Sequence, residues 1–264
     1  MNDIFSLQRF GWLMRKIIVE RTAQVLGTIG FCIIATFIIY AMTRLLQGME
    51  VAQNAAFELG LAMGGPLVAS IVFGYFNNNA TGASFLTLPA SVLEKWLSGI
   101  LITGLVYFFL FLLSFRIIDL AFVAQYHHSL DPHLPYYKEQ YEAVHLFSFT
   151  EFVASSTYMM FFNFCGIVML GALFFNKAAF IKTALIVCGI SVGGFLLNLL
   201  AVSLLIKNTQ IAFPFSVVWI WVRNERTPLQ LPPDSAEKVK FIFRFVLPAI
   251  FWGLSLLRLK EKEF

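Results

Sequence analysis

AQVLGTIGFCIIATFIIYAMTRLL, residues 23–46, decides the class of this fold. From Ala23 to Thr43 the stretch carries no charged side chain. A bilayer core needs about 20 apolar residues in helical form, and this run supplies them. Backbone groups in lipid have no water to pair with, so a helix, which pairs its own, is the conformation expected. Five more apolar runs follow at about 55–75, 97–118, 152–175, 180–206 and 241–257. The expected fold class is therefore an all-α polytopic membrane protein with six transmembrane helices. Composition agrees: 59% of the 264 residues are hydrophobic and only 13% are charged, where a soluble domain carries about 25%. The mean hydropathy is +0.77. Cys32, Cys165 and Cys188 all fall in apolar runs, which reads as small buried hydrophobes rather than a disulfide framework. The net charge of +4 comes without a basic stripe, which argues against nucleic acid as a partner. The first apolar run follows a charged segment and shows no cleavage site, so it reads as a span and not a signal peptide.

Residues 4–21, IFSLQRFGWLMRKIIVER, precede that run. On a helix, Leu7, Phe10, Leu13, Met14, Ile17 and Ile18 share one broad arc, Arg9, Lys16 and Glu20 lie opposite, and Arg15 sits on the flank. This facial separation fits an amphipathic helix in the membrane interface, with its cations near anionic lipid. The other reading is a charged flank that simply begins the first span. The chain then divides into an elbow-like segment, 1–22, and a six-helix domain, 23–264, with elaborated outer segments at 119–151 and 207–240. The strongly basic N-terminal flank and a first outer loop (Gln47 to Asn54) without Lys or Arg place the N-terminus inside. Six spans return the C-terminus to the same side.

No phosphate-binding loop, dinucleotide fingerprint, H-E-x-x-H or C-x-x-C occurs, so no catalytic or nucleotide-binding centre is expected in this chain. Ionisable residues in lipid mark ion or proton pathways. Here Arg44, Arg116, Asp119 and Glu151 all fit at span ends, and Glu58 lies about one turn into the second span. His127, His128, Asp131 and His133 are a dense set of possible metal ligands, although exposed loop histidines are the commoner outcome. G-x-x-x-G strings at Gly60–Gly64 and Gly189–Gly193 allow close helix packing, within the chain or between subunits. Gly64-Gly65-Pro66 reads as a kink. IAFPFSVVWIWV, residues 211–222, is too short and too interrupted by Pro214 to span, and reads as interfacial or re-entrant.

The loop between spans two and three is the most distinctive local sequence: NNNATGASFLTLPASVLEKWLSG, residues 77–99. Ser91 and Glu94 form a capping box, and Pro89 breaks the chain before it. The result is an ordered turn, serving as a cap alone or as a rigid docking surface.

An interfacial first helix, six spans, this structured loop and an outer segment before span six together resemble the ABC-2 type permeases, the membrane subunits of bacterial exporters powered by separate ATPases. FLTLPASVLEKW, residues 85–96, is similar to a loop of short bacterial permease-like proteins. The resemblance implies that Leu88, Pro89, Ala90, Ser91, Glu94 and Lys95 lie near the contact with the ATPase. It implies that Arg9, Phe10, Trp12, Arg15 and Lys16 belong to the elbow helix, and that Gly189 and Gly193 pack against a second permease. ATP and magnesium would then belong to the partner ATPase and no cofactor to this chain. The site of action would be the bacterial cytoplasmic membrane, with both termini cytoplasmic. The charge-poor spans favour an amphipathic cargo, such as a lipid-linked molecule, a peptide or a hydrophobic drug. The outer segment before span six departs from simple topology, being basic at Lys207, Arg223, Arg226, Lys238 and Lys240. Two competing expectations remain. One is a non-transporting subunit that anchors a larger envelope assembly, and the other is a metal-dependent intramembrane enzyme built on the histidine cluster.

Overall fold

Apolar sequence without a breaker gives long helices, and the first is the longest: α1, Leu7–Gln47, has 41 residues. Its only non-helical residue is Arg21 (φ −119°, ψ 21°), which separates an N-terminal arm from the first span. The break is held in place, because the Arg21 guanidinium donates to the Ile71 carbonyl at 2.7 Å and lies 3.6 Å over the Tyr75 ring. Gly48, at φ 93°, turns the chain sharply into α2, Met49–Val72; that backbone conformation is open to glycine and strained for other residues. The two helices form an antiparallel hairpin, and Pro66 lies buried within α2.

The computed structural model describes residues 5–205, 209–212, 217–222, 225–230 and 232–262. After α2 come a 3₁₀ turn, Phe73–Asn77, and a short helix α3, Asn79–Leu86. Then α4, Val92–Ile100, runs through a π-helical turn into α5, Tyr107–Ser129. A short α6, Tyr137–Glu142, precedes α7, Phe152–Phe174, and α8, Ala179–Leu205. Strands β1 (Thr209–Ala212), β2 (Val217–Val222) and β3 (Glu225–Gln230) follow. The last element is α9, Pro233–Phe241, which continues through a second π-helical turn into α10, Leu247–Lys262. Six of the resulting helices are long and apolar enough to cross a membrane. The protein is an all-α polytopic membrane protein by architecture, with one small sheet appended.

Two boundaries differ from the sequence reading. The third span continues to Ser129, beyond the expected end at 118, because nothing between Arg116 and Ser129 breaks a helix. The run expected to be re-entrant contains strands instead. β2 pairs antiparallel with both β1 and β3, in the order β1-β2-β3. Val, Ile and Trp suit a pleated strand better than a lone interfacial helix, given strands on either side to pair with. Pro214, Lys207 and Arg223 lie outside the described residues.

Helix α2 is the axis of the bundle. In its most apolar stretch 67% of residues are buried, against 0% for α8. Around it pack α1, α5 and α7, while α10 and α8 lean on α7. The first G-x-x-x-G string explains the close approach. A Cβ at Gly60 would meet Thr36 and Phe111, and one at Gly64 would meet Tyr107 and Cys32. Tyr107 also donates its hydroxyl to the Gly60 carbonyl at 2.8 Å. On the other flank the Trp252 indole occupies the space left by Gly104 and Gly166 and donates to the Phe162 carbonyl at 3.0 Å. Small residues thus set helix spacing here, as expected where lipid offers no hydrophobic drive between helices.

Candidate functional site

One end of the bundle is built around Glu94. Ser91 caps α4: its hydroxyl accepts from the Glu94 N–H at 3.2 Å, and Glu94 Oε2 accepts from the Ser91 N–H at 2.8 Å. The capping box read in the sequence is therefore formed. Its carboxylate does more than cap. Glu94 Oε1 also accepts from the Ser6 N–H at 2.7 Å and from Arg9 Nη2 at 3.1 Å. Glu94 is fully buried, and two of these four hydrogen bonds tie the start of α1 to the start of α4. The next residue, Lys95, is 2% exposed and donates Nζ to the Leu86 carbonyl at 2.7 Å, closing the end of α3. A buried charge is tolerated when it is paired and hydrogen-bonded in this way.

The resemblance placed Glu94 and Lys95 near a contact with the ATPase. Both side chains turn inward and serve the chain itself. Leu88, Ala90 and Ser91 are half-buried, and Pro89 is exposed. The helix presented at this end is α3, which sequence reading left as loop. Asn78 Oδ1 caps it by accepting from the Ala80 N–H at 3.1 Å. Phe85 anchors it, stacked on Tyr75 at 4.7 Å and set edge-on against Phe76 at 5.8 Å. Thr81, Ala83, Ser84 and Thr87 stay exposed. The triple asparagine before a short apolar run was the available signal, since Asn is a preferred helix cap.

The structure brings together two of the residue sets named from sequence. Arg9, Trp12 and Lys16 from the arm of α1 face Leu88, Pro89 and Ala90 across a groove of about 280 Å³. Leu13 and Ile17 pack inward, whereas Leu7, Trp12, Ile18 and Val19 are exposed apolar residues beside the exposed cations Arg15 and Lys16. Phe10 is half-buried against Phe5, their rings 5.6 Å apart. An arm with one face on the protein and uncovered apolar and basic groups elsewhere is suited to a membrane interface.

The second G-x-x-x-G string behaves unlike the first. Around Gly189, Gly193 and Gly194 a Cβ would meet nothing within 4 Å. These residues lie on α8, which touches the rest of the bundle chiefly through α7, with Thr183 seated against Gly171.

At the opposite end, Asp119 is fully buried, although its sequence position suggested a solvated span end. Its Oδ1 accepts from the Tyr40 hydroxyl at 2.9 Å and Gln53 Nε2 at 2.8 Å, and its Oδ2 accepts from the Phe147 N–H at 2.8 Å. Gln53 Nε2 also donates to the His145 carbonyl at 2.8 Å. The segment after α6 is thereby pulled into the bundle, where Phe147 packs on Phe57 with ring centres 4.5 Å apart. Glu58 is exposed on α2.

The histidines do not converge. His127 ends α5, stacks on Tyr141 at 4.0 Å and bonds the Val144 carbonyl through Nε2 at 3.1 Å. Asp131 Oδ1 accepts from the His133 backbone N–H, and His128 and His133 are exposed. Among the described residues, no group of three His, Cys, Asp or Glu is placed to share a metal ion.

Compared with family models, curated proteins and solved structures, the chain matches none.

Proposed function

We propose that this chain is the permease subunit of an ATP-driven exporter of the ABC-2 type, paired with a second permease and with separate cytosolic ATPase subunits. The observation that carries the reading is the Glu94-centred junction, which locks an interfacial arm to the connection between spans two and three and leaves α3 exposed. A force applied at α3 would pass through Phe85, Lys95 and Glu94 into α1, α2 and α4 together, because those contacts are buried and charge-assisted. The open glycine face of α8 supports a second permease as its partner, since such faces let helix backbones approach. The described ends of the chain, the arm of α1 and the last turn of α10, lie at the same end of the bundle as α3. In this reading that end is cytoplasmic, and the membrane is the bacterial inner membrane. Energy would come from ATP and magnesium held by the partner. An amphipathic cargo fits the scarcity of charge in the spans.

Substitutions on the exposed face of α3 test the reading. Ala83→Arg with Ser84→Arg should remove a co-purifying ATPase while leaving the chain folded and dimeric. An ATPase retained at full stoichiometry by that variant would contradict the role given to α3.

A second reading, an assembly subunit of an envelope complex, draws on the three-stranded sheet at 209–230, whose outer strands β1 and β3 each pair on one side only. Recovery of envelope proteins without any ATPase would favour it.

A further inference from the structure

Helices α8 and α10 both rest on α7 without closing on each other among the described residues. Between them runs an apolar groove of about 590 Å³, lined by residues such as Met160, Ile167, Ile186, Ile190, Leu247 and Phe251. Helix α7 contributes to it from Met159 to Phe175, a rise of about 24 Å, more than the roughly 15 Å depth of one leaflet. The groove has a polar mouth. Phe174 and Phe175 also line a second cavity, of about 630 Å³, walled by Asn78, Asn79, Asn176, Lys177 and Lys182. Phe174 borders a third as well, into which Arg258 and Lys262 reach. An apolar slot thus opens, past two phenyl rings, onto a basic and amide-rich rim at the α3 end of the bundle.

Three cations at this end lie over aromatic rings. The Arg258 guanidinium lies 4.5 Å over Phe174, Lys182 Nζ lies 5.6 Å from the Phe175 ring, and Lys262 Nζ lies 5.2 Å from Phe76. Arg258 gives Nη1 to Glu261, at 2.6 Å, but its Nε is buried without an acceptor among the described residues.

We propose that this groove holds one anionic phospholipid of the leaflet at the α3 end, its acyl chain between α7, α8 and α10 and its phosphate on the rim of Lys177, Lys182 and Arg258. Charge decides the occupant. An apolar chain alone accounts for the slot, and a cytosolic protein alone accounts for the lysines, but a single molecule with a hydrocarbon tail and a phosphate accounts for both. The groove shares α8 with the open glycines, and its rim borders α3 at Asn78 and Asn79; the lipid site needs no bound ATPase.

The test uses the full-length chain purified in mild detergent, mixed with equal phosphatidylglycerol and phosphatidylcholine, and weighed intact by native mass spectrometry. One phosphatidylglycerol should be retained per chain, with a preference over phosphatidylcholine of about 25-fold, or about five-fold for each of two lysines at the membrane surface. Lys177→Gln with Lys182→Gln should reduce the preference to near unity, because the Glu261 carboxylate paired with Arg258 offsets the remaining charge. Ile186→Trp with Ile190→Trp, which fills the slot, should lower retention of both lipids. Circular dichroism of each variant controls for folding. Equal retention of the two lipids by the native chain would overturn the proposal. So would an unchanged preference in the lysine variant, or unchanged retention in the tryptophan variant. If the lysine variant kept its lipid and lost only a co-purifying ATPase, the rim would be a protein contact and the lipid site would fall, with the permease reading intact.

Discussion

Glu94 illustrates how a residue that looks like a helix cap can organise one end of a molecule. Its carboxylate accepts from Ser91, Ser6 and Arg9, three donors that lose this acceptor when the side chain is cut back. Glu94→Ala should therefore destabilise the fold by about 3 kcal/mol, within the range for breaking one partner out of a buried charged network. The measurement is thermal unfolding in detergent, together with proteolysis of the α1 arm, which should become faster. Glu94→Gln should lose less but remain impaired, because one of its two oxygens becomes a donor facing another donor. Arg9→Gln should be milder still, since Arg9 is 39% exposed. Asp119 is the counterpart at the far end. Asp119→Asn should free the stretch around His145 and Phe147, seen as faster hydrogen exchange there, since either amide orientation sets an N–H against Tyr40 and Gln53 or against Phe147. The Ser91–Glu94 box was legible in the sequence because both partners lie three residues apart on a forming helix. The Arg9 contact was not, because 85 residues separate the pair and only tertiary packing brings them together. Asp119 was misplaced for a related reason: α5 continues past it, so what looked like a span end is interior.

Two copies of one motif diverge at the scale of the helices. G-x-x-x-G reads the same at Gly60–Gly64 and at Gly189–Gly193, yet among the described residues only the first is filled from within the chain. Gly64→Leu should prevent folding, since Tyr107 and Cys32 already occupy that space. Gly189→Leu should leave the monomer as stable as before and abolish its dimer. Native Cys188, exposed beside Gly189, offers a second probe. Mild oxidation in membranes should give a disulfide-linked dimer that Cys188→Ser removes, while buried Cys32 and Cys165 contribute nothing. A monomer under oxidation would argue against association through α8. Helix existence was read correctly from apolar runs because a spanning segment needs little beyond length and apolarity. The elements missed, α3 and the sheet β1-β2-β3, are short and depend on neighbours: α3 on Tyr75 and Phe76 beneath it, and β2 on a strand at either edge.

The whole molecule is asymmetric about its axis. Helix α2 is enclosed by α1, α5 and α7, while α8 stands at the rim with open glycines beside a lipid-sized groove. One end gathers the α1 arm, α3 and the last turn of α10; the other carries the segment held by Asp119. Such a division suits a subunit that receives force at one end and needs a second copy along its side. Apolar runs carried most of this architecture in the sequence; which face of each helix is open required the packed bundle. The central claim is the assembly itself, and the most direct measurement is the intact mass of the complex purified from its native membrane in mild detergent. Two copies of this chain with two copies of one ATPase would be the predicted result. A chain that emerges alone, or with envelope proteins and no ATPase, would contradict it.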